Sequence, residues 1–151
     1  MTDIAVGPGP TVSGPGSGFL QNIEKIFQLD HADDLLAVQD VSFSFDSGEI
    51  VSLLGPSGCG KTTVLKMIGG LMSATKGSIH VSEVPVDGPY KNVGMVFQTP
   101  TLMPWRNVFS NVTFPAEIIG KLTEEIREKA YHLLELTGLS TFKRAMPNEL
   151  S

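Results

Sequence analysis

The chain has 151 residues, 41% of them hydrophobic, and a formal net charge of -5, so it has room for one domain with a small appendage. An acidic balance without a basic patch argues against a general nucleic-acid binder. No apolar stretch approaches the roughly 18 residues of a membrane span, no basic start leads into an apolar run, and the single cysteine, Cys59, cannot make an internal disulfide, which fits a cytosolic setting.

Residues 1–18 include Gly7, Pro8, Gly9, Pro10, Gly14, Pro15, Gly16 and Gly18 and carry almost no large apolar side chains. Such a segment cannot bury enough surface to offset its ordering entropy, and it reads as a disordered tail. From Phe19 the composition changes. Val41, Phe43 and Phe45 alternate with Ser42, Ser44 and Asp46, the pattern of a half-buried strand. Ser47 and Gly48 mark a turn. Residues 49–54 then form a nearly continuous apolar run, Ile50, Val51, Leu53 and Leu54, which predicts a parallel strand buried on both faces.

Residues 61–72 follow with Val64, Leu65, Ile68 and Leu71 at helical spacing. A turn at Gly77 and a short strand over residues 78–81 come next, and Pro85, Gly88 and Pro89 mark loops. Residues 93–98 read as a second buried strand and residues 100–105 as irregular. Residues 117–121 are weakly helical, and residues 123–137 give the clearest helix of the chain. Thr123 can cap it, Glu124 and Glu125 suit its positive end, and Gly138 can terminate it. Its stripe of Ile126, Ala130, Leu133 and Leu134 reads as core packing. His31, His80 and His132 read as ordinary surface or packing residues.

Between the second strand and the first helix stands Gly55-Pro56-Ser57-Gly58-Cys59-Gly60-Lys61-Thr62, which fits the phosphate-loop pattern G-x-x-x-x-G-K-[ST]. The glycines allow backbone angles closed to residues with a Cβ, so successive N–H groups can turn inward on phosphate oxygens. The helix that starts at the loop adds its own free N–H groups and the positive end of its dipole, with Thr63 in its first turn. Lys61 is placed to neutralise the β- and γ-phosphates and to act in catalysis, and Thr62 offers a hydroxyl to Mg²⁺. Strand, glycine-rich loop and helix in that order are the context the motif requires. These residues therefore predict a nucleoside triphosphate site with Mg²⁺. Cys59 lies inside the loop, so its alkylation is expected to block nucleotide binding.

A phosphate loop alone does not choose among ATPases, GTPases and nucleotide kinases. Val96-Phe97-Gln98, with Gln98 some 37 residues after Lys61, resembles the Q-loop of ABC-transporter ATPases. Leu102-Met103-Pro104-Trp105-Arg106-Asn107-Val108 with Asn111-Val112 is similar to the segment that follows it in importers of the nitrate, sulfonate and taurine type. Gly69-Gly70-Leu71, Gly77 and Val86-Asp87-Gly88-Pro89 also fit that subgroup. The resemblance runs from about Phe19 to Ser151.

It implies an α/β fold, the P-loop NTPase core of an ABC ATPase, incomplete and carrying the start of the helical subdomain. The expected organisation is a tail over 1–18, a nucleotide-binding core over 19–100 and a helical segment over 101–151. For Gln98 the resemblance implies contact with Mg²⁺ and the attacking water, and for the 98–105 region docking on a membrane subunit. Phe27 is the candidate for stacking on adenine, with core packing as its other reading. ATP and Mg²⁺ are the implied ligands. A second copy of the ATPase subunit is the implied partner, at the inner face of the cell membrane. The family's signature begins Leu-Ser-Gly-Gly, and here Leu150 and Ser151 are its only residues. The resemblance therefore implies a truncated subunit of an importer for a small oxyanion or sulfonate, with weak nucleotide affinity, little hydrolysis of its own and exposed apolar surface. Two other readings stand beside it: a non-catalytic fragment that docks on a transporter membrane subunit, and a nucleotide kinase.

Overall fold

Leu20 and Ile23 anchor a strand that the alternation rule does not detect, because they lie three residues apart. They belong to β1, Gly18–Phe27, in a computed structural model that describes residues 14–31, 33–90 and 93–150. β1 pairs antiparallel with β2, Leu35–Phe45, on one side and with β3, Lys76–Val81, on the other. The short β4, Val84–Pro85, completes a four-stranded sheet of order β2-β1-β3-β4. The β1–β2 register shifts three times, between Leu20 and Ile23, between Ile23 and Lys25, and between Lys25 and Ile26. At the first shift Asn22 takes a positive φ of 48°, and its side chain donates to Asp40 Oδ1 at 2.8 Å. That extra residue puts Leu20 and Ile23 on one face although they are an odd number of positions apart.

The chain divides into two compact units, Met1–Met95 and Val96–Ser151. In the first, helix α1, Lys61–Ile68, lays Val64 and Met67 against Leu20, Ile23, Val38 and Ile79 to form the core. Each such side chain contributes about 1.5–3 kcal/mol when fully buried. The helix stops four residues short of the expected end. Gly69 and Gly70 close it with a paired bond pattern, Leu71 N–H to Lys66 O at 2.8 Å and Gly70 N–H to Met67 O at 3.0 Å, which satisfies the last carbonyls.

In the second unit, α2, Val108–Ile118, starts where the Asn107 side chain accepts from Ser110 N–H. α3, Glu124–Leu136, is capped by Thr123 as its sequence predicts. Both helices end in the same two-bond pattern as α1. Phe109 of α2 stacks on Tyr131 of α3 with ring centroids 4.3 Å apart. On α3, Ala130 and Leu134 are buried as expected, whereas Leu133 is exposed.

Several expectations are corrected. Ser17 and Gly18 do not belong to a tail: Ser17 is 1% exposed, and Gly18 pairs with both Phe45 and Val81. A side chain at Gly18 would meet the Phe45 ring and the His80 carbonyl, so the glycine there serves close packing. The rest of the tail reading, residues 1–13, lies outside the described residues. Residues 49–54 and 93–98 are not strands. Ile50 is 93% exposed, Leu54 91% and Val96 100%. A parallel strand exists only through bonds to neighbours on its edges, and among the described residues none stands beside these. Gly77 lies inside β3 and not in a turn before it. The weak helix expected over residues 117–121 is the end of α2.

At Gly70 the chain has a φ of 70°, and a Cβ there would run into the Gly88 carbonyl oxygen, which is backbone and cannot swing away. Gly70→Ala is expected to lower stability by more than about 2 kcal/mol in urea unfolding. A loss within the ordinary surface range of about 0.5 kcal/mol would contradict this packing.

Candidate functional site

The loop over residues 55–60 is set by the helix it feeds. Gly60, the residue before α1, has φ 91° and ψ 0°, a left-handed conformation that bends the loop over the helix start. No side chain caps that start. The N–H groups of Lys61, Thr62 and Thr63, in the first turn, have no partner within the helix by geometry. They are the donors on which an anion would settle.

Lys61 reaches back over the loop. Its ammonium donates to the carbonyl oxygens of Gly55 at 2.7 Å and Pro56 at 2.6 Å, and lies 3.4 Å from Cys59 Sγ. The positive charge is therefore held at the mouth of the loop by groups that phosphate oxygens can replace. Thr62 is exposed, with its hydroxyl available to a cation. Pro56, Ser57, Gly58 and Cys59 form the exposed rim, and a Cβ on Gly58 would meet only open space. The structure brings all eight residues from Gly55 to Thr62 into one small site. This fits a nucleoside triphosphate, and Thr62 would be the residue to offer an oxygen to Mg²⁺.

Two further residues, Ala37 and Val38 of β2, lie directly under the loop. The Ala37 carbonyl oxygen is 2.6 Å, and Val38 Cγ2 3.0 Å, from the position a Cβ on Gly60 would take. Sequence reasoning missed them, because the contact is tertiary and no spacing signals it. Phe27 ends β1 opposite Leu35 and is half-exposed, outside the core cluster, with Lys25 Nζ 5.3 Å from its ring centroid.

Gln98 lies in the second unit, exposed, in the irregular segment that leads to α2. That segment is firmly held within its own unit. Asn111 Oδ1 accepts from Met103 N–H at 2.7 Å, and its amide donates to Arg106 O at 2.8 Å and Met103 O at 3.2 Å. Arg106 grips Glu117 through two hydrogen bonds, at 2.6 and 3.2 Å, and lies 4.6 Å over the Phe114 ring. The hydrogen bonds from Arg106 hold the Glu117 carboxyl below its ordinary pKa, and the same bonds raise that of the guanidinium. Trp105, at the tip of this braced loop, is 73% exposed.

Comparison with known proteins places these features in a lineage. Residues 38–151 match the family model described as ABC transporter. The taurine import ATP-binding protein TauB of Jannaschia sp. (strain CCS1) is 40% identical over 132 residues, covering 87% of this chain and 49% of that protein. TauB of Yersinia pestis bv. Antiqua (strain Antiqua) is 44% identical over 115 residues, covering 76% and 45%. The chain thus spans about half the length of the curated relatives it matches. Among solved structures, a dimeric post-hydrolysis state of the ATP-binding cassette MJ0796 bound to ADP and Pi superposes with a TM-score of 0.77. It is 30% identical and is matched over 89% of this chain and 63% of its own. The fold is therefore that of an ABC ATPase cassette, a P-loop NTPase core.

Cys59 is exposed, and its sulfur lies 2.7 Å from where a Cβ on Gly55 would be. An adduct there lies beside the Lys61 ammonium, 3.4 Å from the sulfur, where it competes with phosphate for that charge. Stoichiometric alkylation of Cys59 is expected to abolish nucleotide binding measured by titration. Unchanged affinity after complete modification would show that the loop opens away from its sulfur.

Proposed function

Because this chain belongs to the ABC transporter family, we propose that it binds ATP with Mg²⁺ as the ATP-binding subunit of an importer. The observation that carries the reading is the loop from Gly55 to Thr62, with Lys61 poised over the carbonyls of Gly55 and Pro56 at the start of α1. The N–H groups of the first helical turn take the phosphate oxygens, and Lys61 exchanges its two carbonyl partners for the β- and γ-phosphates. A bound Mg²⁺ would supply charge neutralisation to the phosphates. Thr62 would hold it through its hydroxyl, and Gln98 is a separate candidate ligand by its likeness to the Q-loop. Phe27, half-exposed at the end of β1, is the candidate platform for adenine.

The transported solute is proposed to be a small sulfonate or oxyanion. The support is the taurine import named for relatives at 40% and 44% identity. The proposed location is cytoplasmic, against the inner face of the membrane. No helix among the described residues is long and apolar enough to cross a membrane. Docking on a membrane subunit is proposed for residues 98–105, where Asn111 and the Arg106–Glu117 pair brace the loop that presents Trp105. A rigid exposed aromatic on a braced loop is the kind of anchor that interfaces use. A second copy of the subunit is the other proposed partner, supported by the dimeric cassette it resembles.

The test is calorimetric titration of the chain with Mg-ATP, alongside Lys61→Ala. Loss of the charged hydrogen bonds is expected to weaken binding about ten- to a hundredfold. Equal affinity in the two proteins would remove the phosphate-site reading.

A further inference from the structure

The pairing between β1 and β2 contains an irregularity whose position matters to the phosphate loop. Lys25 pairs with Val38, but the next residue of β1, Ile26, pairs with Leu36. One step on β1 matches two on β2, which leaves Ala37 as the extra residue of a β-bulge. A bulge takes its extra residue out of the ladder and re-aims its groups. At Ala37 the result is a carbonyl oxygen 2.6 Å from the Cβ position of Gly60, the left-handed residue that opens α1. Val38, next along, touches the same point through Cγ2 at 3.0 Å and is buried in the core with Val64 and Met67 of α1. Two residues before the bulge, Leu35 pairs with Phe27.

We infer that the β-bulge at Ala37 is a positioning device: it supports Gly60 and so fixes the N–H groups of the phosphate loop for a polyphosphate. Ala37 acts through Gly60 and does not itself touch phosphate. The bulge also resets the register between Val38 and Leu35. Removing Ala37 would leave Val38 opposite Lys25 and Leu36 opposite Ile26 in an unbroken ladder, without the carbonyl that meets Gly60. The supporting strand is thus the same one that pairs with the proposed base platform at Phe27. This inference rests on the phosphate-site reading above.

Inorganic tripolyphosphate with Mg²⁺ tests it, because that probe uses the loop and has no base. Wild type, a deletion of Ala37, Val38→Ala, Phe27→Ala and Ile79→Ala are compared by titration with tripolyphosphate and with ATP, at temperatures where circular dichroism shows each folded. Deletion of Ala37 is expected to weaken both ligands by about tenfold or more, the size of losing one charged-group hydrogen bond. Val38→Ala is expected to weaken both severalfold, and Phe27→Ala to weaken ATP alone. Ile79→Ala empties the same core at a residue that does not approach Gly60, and it is expected to lower the melting temperature without moving tripolyphosphate affinity. If the deletion does not fold, Val38→Ala against Ile79→Ala decides. A wild type that binds neither probe overturns the phosphate-site reading and the inference with it. Wild-type binding with unchanged tripolyphosphate affinity in the folded β2 variants, or an equal loss in Ile79→Ala, overturns the inference alone.

Discussion

At Gly60 the backbone must satisfy two demands together. It takes a left-handed conformation to swing the loop onto α1, and it passes so close to the Ala37 carbonyl that no side chain fits. Both demands admit glycine alone. Downstream, the turn aims the first N–H groups of α1 at one point, and it brings Lys61 within reach of the Gly55 and Pro56 carbonyls. Upstream, it presses on a strand whose own side chain, Val38, is part of the core that α1 completes through Val64 and Met67. Loop, helix and sheet therefore share a single contact. Fixing the loop's N–H groups in advance lowers the ordering cost of holding a highly charged ligand.

The second unit shows a different economy. It places little in a core and instead braces a loop with polar groups. One amide, Asn111, ties together Met103 and Arg106, and Arg106 in turn is clamped by Glu117. An exposed ion pair contributes little to global stability. A bidentate, stacked arginine nonetheless fixes geometry, because its planar fork admits few alternatives. The outcome is an exposed Trp105 on a loop with restricted freedom. That suits recognition more than folding.

The phosphate loop was legible in the sequence because its chemistry depends on residue types at fixed offsets. α3 was legible because a capping threonine, an acidic first turn and a terminal glycine all agree on its limits. β1 was not, since the extra residue at Asn22 breaks the period of two on which strand reading depends. α2 was masked by Val108, Phe109, Val112, Thr113 and Pro115, residues that favour other states; its one clear signal was Asn107 as a cap. Residues 49–54 and 93–98 misled in the opposite direction. Their apolar runs state a need for burial, but a run cannot say which strand would stand beside it. Ala37 and Val38 were beyond reach for a related reason, because a contact made through a backbone carbonyl leaves no mark on residue identity.

Amide hydrogen exchange of the chain, followed residue by residue with and without Mg-ATP, tests the central claim most directly. The account predicts marked protection of the N–H groups from Gly58 to Thr63, with the exposed amides at the tip of α3 unchanged. Exchange at Gly58 to Thr63 that is the same with saturating Mg-ATP as without it would contradict the claim that this turn is where the phosphates are held.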